Sequence, residues 1–420
     1  MNTGLKIFFS TMMITALLFG YAGIYFPLEQ YDFERLHIFL FNLCTGGTII
    51  LYFTEGSGKL SPRTGTFLIL SIIYAFCAFF EFYPAAVIIS LALASIVESL
   101  RIQLFSIFPW NFFTLKDSVA DKFHQASLIC LSIGLIMSSL VIINNEYVHM
   151  VTMDKLVLNT FFLGFSFPLS LITLSVIFSM IPVEVRSPGT FGKGVPDTSG
   201  NGALGKGVPD TSGNGALGKG VATSSNGALG RENFSLNKTM ALSVICFWTI
   251  NLGVIIFFVF ILFEKFYPQL IVTTALFAAV TTVFMLYRKL GQRMQQKQFL
   301  SSGIGFLIAT AISGIIYIFY QMAPDYNPEN TKWLLRIHTF ASLYGWNLCG
   351  LAVICRFRDF PIRLHSGMVI FVHWLTAMIL APLGDRSIVI ALFAVAGYIF
   401  IVKTLFFSDV GKKYLPLNYS

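Results

Sequence analysis

The sequence predicts an all-α polytopic membrane protein of about 12 transmembrane helices, with a pseudo-threefold arrangement of four-helix units. Three observations carry this. The first is composition: 55% of the 420 residues are hydrophobic and only 11% charged, against roughly 25% charged in soluble domains. With a mean hydropathy of +0.75, the chain lacks the polar side chains to cover a soluble surface. Soluble, disordered and disulfide-stapled secreted classes are excluded.

The second observation is length. A helix of about 20 apolar residues crosses about 30 Å of hydrocarbon. Segments 5–26, 36–54, 64–82, 84–104, 124–143 and 156–181 qualify, followed by 239–263, 266–287, 300–322, 334–355, 364–383 and 387–408. The third is charge. With a cytoplasmic N-terminus, 22 basic residues fall inside, and only Arg35, Lys155, Lys265, Lys332, Arg336 and Arg386 fall outside. Such a bias marks the cytoplasmic face. The net charge of +8 therefore reports topology beside an anionic leaflet and a lipid bilayer partner, with no nucleic acid partner. A cell inner membrane is the expected location, with both termini cytoplasmic.

Taken in order, residues 1–182 hold the first six spans. The first is too long for a signal-peptide core and lacks a small-residue cleavage site, so it reads as a retained helix. Residues 183–238 form a cytoplasmic loop. KGVPDTSGNGALG runs from Lys193 and again from Lys206, and a shorter unit runs from Lys219. These Gly-, Ser- and Asn-rich units have no apolar stripe and predict a flexible linker. Their GKG is not a phosphate loop, which needs GxxxxGK[ST] after a strand. Residues 239–420 hold the last six spans. All six Cys fall in or beside spans without a CxxC, as small packing residues do. The sequons at Asn233 and Asn237 lie on the predicted inside and carry no weight.

Ionisable groups within spans are costly and are the first functional candidates. Glu98 and Arg101 are three residues apart and predict a structural ion pair. Glu81 falls at an outer turn. Of the six histidines, His124 starts a span and His149 lies in a loop. His365 and His373, eight residues apart, are too far separated to share a metal. His37 and His338 remain, in matching contexts. The second span begins Arg35-Leu-His37-Ile-Phe39 and the tenth begins Arg336-Ile-His338-Thr-Phe340. The sixth has a fainter version, Asn159-Thr-Phe161. A further match precedes the fourth and eighth spans, Glu81-Phe-Tyr-Pro84 and Glu264-Lys-Phe-Tyr-Pro268. Both matches predict one four-helix unit used three times. Taken singly, a histidine at a helix end is an interfacial side chain open to water. The shared context raises these two to candidates.

Twelve spans with a histidine on the second and the tenth resemble subunit I of the heme-copper oxidase superfamily. HTFASLYGWNLCGLAVI is similar to the tenth helix of its divergent, oxidase-like branches. The resemblance implies heme b, with His37 and His338 as axial metal ligands and Arg35 and Arg336 beside the propionates. Gly46, Gly47, Gly345 and Gly350 would admit the macrocycle, and Phe39, Phe41, Phe340 and Tyr344 would wall it. The sixth and seventh spans lack histidine, and the His-x-His of the family's tenth span is reduced to His338-Thr-Phe340. No dinuclear copper center can be assembled. The expected role is electron transfer, heme handling, or gas or redox sensing with a membrane redox partner. The alternative is a 12-helix secondary transporter, for which Pro168 marks the best helix break. A third is an assembly partner in a membrane complex. Neighbouring His-bearing helices, with the two rings facing across the interior, would favour the first.

Overall fold

The computed structural model describes residues 3–25, 32–56, 59–114, 117–151, 155–156, 162–181, 226–292, 296–357 and 360–408. The repeats up to 225, and Asn159-Thr-Phe161, lie outside the described residues. Ten helices are long and apolar enough to cross a membrane, and two shorter apolar ones complete the twelve. They are α1 Thr3–Tyr25, α2 Phe33–Glu55, α3 Pro62–Phe79, α4 Tyr83–Leu104, α5 Val119–Val148 and α6 Gly164–Ser179. The second half has α7 Lys238–Leu262, α8 Phe266–Leu290, α9 Gln296–Gln321, α10 Pro328–Cys355, α11 Gly367–Leu383 and α12 Ile388–Phe407. The helical backbone of α7 continues back to Asn226, inside the stretch whose composition predicts a linker. No strand occurs among the described residues.

The helices pack as three successive units of four. The last helix of each unit packs on the first of the next: α4 on α5, α8 on α9 and α12 on α1. These contacts close a ring. Within it α2, α6 and α10 touch one another. Burial separates centre from periphery: 89% of the apolar window of α2 and 72% of that of α10 are buried, but only 17% of that of α7. Small residues permit the central approach. A Cβ on Gly46 of α2 would stand 2.7 Å from Leu169 of α6, and one on Gly350 of α10 would collide with Thr173 of α6.

The two acidic turns are one structure used twice. Glu81 and Glu264 both adopt left-handed backbone, with φ of 58° and 52°. After each, an amide closes back five residues, Phe82 N to Cys77 O at 2.7 Å and Lys265 N to Phe260 O at 3.0 Å. This is the Schellman closure, where glycine is the usual left-handed residue. Glutamate there carries strain that glycine relieves. Glu81→Gly is therefore expected to raise stability by about 0.5–1 kcal/mol, read as the denaturation midpoint in detergent. Glu264→Gly should gain less, because Glu264 pairs with Lys155 at 2.9 Å. That ammonium holds the Glu264 carboxyl below the usual carboxylate range.

The Glu98–Arg101 pair forms at 2.7 Å. The Arg101 guanidinium also donates to the carbonyls of Ser106 and Ile107, at 2.8 and 3.0 Å, and so pins the loop after α4. Arg356 donates to the carbonyls of Leu405 and Phe406, tying the end of α10 to the open end of α12. All six Cys are free thiols.

Candidate functional site

His37 and His338 lie toward one end of the bundle, His37 in the second turn of the central helix α2 and His338 about three turns into the central helix α10. Asp32 caps α2 by accepting from Arg35 N at 2.8 Å, and Asn327 caps α10 by accepting from Glu329 N at 2.9 Å. Soon after each histidine the helix widens into a π segment, Phe39–Gly47 in α2 and Ala341–Asn347 in α10. The third central helix has its own, Phe162–Ser166, ending two residues before Pro168. Such segments disturb the i→i−4 ladder and recur at functional sites. In α2 the Thr45 hydroxyl donates to Leu40 O at 2.9 Å.

Each imidazole is held in the same way by the preceding helix. His37 Nδ1 lies 2.7 Å from Ala16 O of α1, and its ring covers Gly20, where a Cβ would stand 3.0 Å from Nδ1. His338 Nδ1 lies 2.9 Å from Thr310 O of α9, and its ring covers Gly314, where a Cβ would stand 3.2 Å from Cε1. In both cases a carbonyl is followed four residues later by the glycine that makes room for the ring. A carbonyl accepts only, so each Nδ1 carries the proton and each Nε2 keeps a lone pair. The Tyr344 hydroxyl lies 3.1 Å from His37 Nδ1 and 3.2 Å from Nε2, beside the ring between the two nitrogens; with Nδ1 protonated, only Nε2 can accept from it. His338 Nε2 has no hydrogen-bond partner among the described residues.

The two helices are neighbours, as the heme reading expects. No hydrogen bond or ring contact between His37 and His338 occurs among the described residues. His37 turns toward α1 and His338 toward α9, because Gly20 and Gly314 provide the space there. Aromatic rings pack beside His37. Tyr344 packs against His37, Phe41 and Tyr398 with centroids 5.6, 4.9 and 4.6 Å away. Phe340 stacks on Tyr21.

The two arginines share this end. Arg35 pairs with Asp32 at 3.3 Å, and Arg336 pairs with Asp385 of the loop between α11 and α12. Asp385 was not legible as a partner, since about 50 residues separate it from Arg336 and only the ring closure brings the loop over α10. His373 is fully buried. Its Nε2 donates to Tyr344 O at 2.6 Å, a carbonyl within the π segment. His124 Nε2 bonds the Thr54 hydroxyl at 2.8 Å. Below the histidines, Asn347 Nδ2 donates to Ser166 Oγ at 2.8 Å, and Trp346 Nε1 to Ser170 Oγ at 2.8 Å. These bonds join α10 to α6.

The donor chemistry fits a bis-imidazole heme: two neutral imidazoles, each fixed through Nδ1 as axial ligands are. Iron at His37 Nε2 would require the Tyr344 hydroxyl to move away. Among the described residues no group of three or more His, Cys, Asp or Glu side chains is placed to hold a metal ion. The chain matches no protein-family model, no curated protein and no solved structure.

Proposed function

We propose that this is an integral membrane protein that binds heme b through His37 and His338. It resembles subunit I of the heme-copper oxidases but has no dinuclear copper center. The role is electron transfer, heme handling, or gas or redox sensing. The observation that supports this most is the repeated cradle, in which a backbone carbonyl and a glycine four residues on fix each imidazole. With Nδ1 held by a carbonyl, each histidine presents the Nε2 lone pair that an axial ligand uses. Heme supplies reversible one-electron exchange at its iron. The chain's own groups orient the imidazoles through Ala16 O and Thr310 O, exclude water with Tyr21, Phe340 and Tyr344, and place Arg35 and Arg336 at the rim. The reading takes this rim as the outer side, which the charge bias supports, of a cell inner membrane with both termini cytoplasmic, and includes a membrane redox partner.

Absorption spectra of heme-supplied, detergent-solubilised protein, oxidised and dithionite-reduced, test this. A sharp reduced α-band is expected, lost in His37→Ala and in His338→Ala. A flat spectrum from folded protein would overturn the reading.

Transport of a small molecule is the second reading. Asn42 Oδ1 and both polar atoms of the Gln125 side chain are buried without hydrogen-bond partners among the described residues. Unpaired polar groups at membrane depth are costly, and a passing solute or water would pair them.

A further inference from the structure

We infer that the histidine end carries an anion-binding site, formed where α10 begins and the α11–α12 loop folds over it, that takes a small carboxylate or phosphate group. A cavity of about 520 Å³ opens there, lined by Glu329, Asn330, Lys332, Trp333, Arg336, Asp385 and Arg386. The charge bias leaves only six basic residues on the predicted outer side, and three of them, Lys332, Arg336 and Arg386, converge on this one cavity. Basic residues are disfavoured on that side, so their convergence asks for a cause.

The carboxylates present do not neutralise them all. Glu329 pairs with Lys332 at 2.7 Å, and Asp385 pairs with Arg336 through Oδ2, while its buried Oδ1 has no hydrogen-bond partner among the described residues; three basic groups therefore face two carboxylates. The Arg386 guanidinium has no hydrogen-bond or carboxylate partner among the described residues. It is a planar, permanently charged fork suited to bidentate capture of carboxylate or phosphate. Trp333, 45% exposed, offers a flat face beside it. The first turn of α10 also borders the cavity; its Glu329 and Asn330 amides are already bonded to Asn327, so α10 contributes the positive end of its dipole and no open amide donors there.

The loop is held in place for this task. Tyr21 and Tyr25 of α1 donate to the carbonyls of Ala381 and Gly384, and a Cβ on Gly384 would meet the Tyr21 ring at 2.6 Å. Tyr21 also stacks on Phe340, which packs on Tyr344. The cavity therefore lies above the aromatic layer that leads to His37. The inference rests on charge and shape alone and stands whether or not heme is bound.

The test is a thermal-melting titration of the full chain in a neutral detergent with succinate and with inorganic phosphate, at constant ionic strength set by chloride. A saturable rise in Tm is expected from at least one of them. Arg386→Gln and Lys332→Gln should each weaken apparent affinity about tenfold or more, while Lys289→Gln, at the opposite end, should not. Repeating the titration in phosphatidylcholine and phosphatidylglycerol nanodiscs separates the sources. A response lost only in phosphatidylglycerol identifies a lipid headgroup as the occupant. A response kept in both identifies a free solute. No saturable response, or one undiminished by Arg386→Gln, overturns the inference.

Discussion

Gly164→Ala is expected to destabilise the protein by more than about 2 kcal/mol, although it adds one methyl group. α5 and α6 cross at Gly134 and Gly164, where a Cβ on either glycine would collide with the backbone of the other. A side chain could rotate away from such a methyl; a Cα and a carbonyl cannot. The two helices would have to separate, and α6 is one of the three at the centre, so its contacts to α2 and α10 would loosen with it. Gly134→Ala should behave alike. Gly65→Ala gives the contrast, because its Cβ would lie 3.6 Å from Leu60, an ordinary contact. Alanine there should be neutral or stabilising by up to about 1 kcal/mol through helix propensity. Thermal midpoints and gel-filtration profiles in one detergent would measure all three. If Gly164→Ala melts with the wild type, the close crossing of α5 and α6 must be given up.

The helices were legible because hydrocarbon imposes a length and a composition, and Phe33–Glu55 or Phe266–Leu290 can hardly be read otherwise. The threefold plan was legible at the Arg-x-His-x-Phe and Glu-Phe-Tyr-Pro matches. The structure extends it to features that no pattern of residue types displays. Glu81 and Glu264 share a left-handed backbone, which a glutamate does not advertise. π segments occur in the central helices α2, α6 and α10 and also in α5 and α11, and propensity carries no trace of them. The histidines were legible as residues but not as directions. His37 points at α1 because Gly20 lies there, and only the packed structure says which glycine meets which ring. Asp385, Tyr344 and His373 were missed as partners for the same reason: each meets, through side-chain polar atoms, a helix distant in sequence.

Gly20→Val and Gly314→Val are expected to separate the two roles a cradled histidine can have. A valine at Gly20 puts its Cβ 3.0 Å from His37 Nδ1, before its two methyls are counted. The ring must swing out and give up its hydrogen bond to Ala16 O. Gly314→Val does the same to His338 and Thr310 O. Loss of the group that orients an axial imidazole lowers metal affinity about 10–100-fold. Heme-supplied variants should therefore lose most of the reduced α-band while still eluting as folded protein. Gly23→Val, one turn further along α1, is the control. Its Cβ would stand 3.4 Å from Phe33 Cβ, away from His37, and its spectrum should match the wild type. If Gly20→Val and Gly314→Val keep a full α-band, the carbonyl–glycine cradle does not orient heme ligands and is helix packing alone. If only one of them loses it, a single histidine binds the iron, and the other cradle is retained from the repeated four-helix unit.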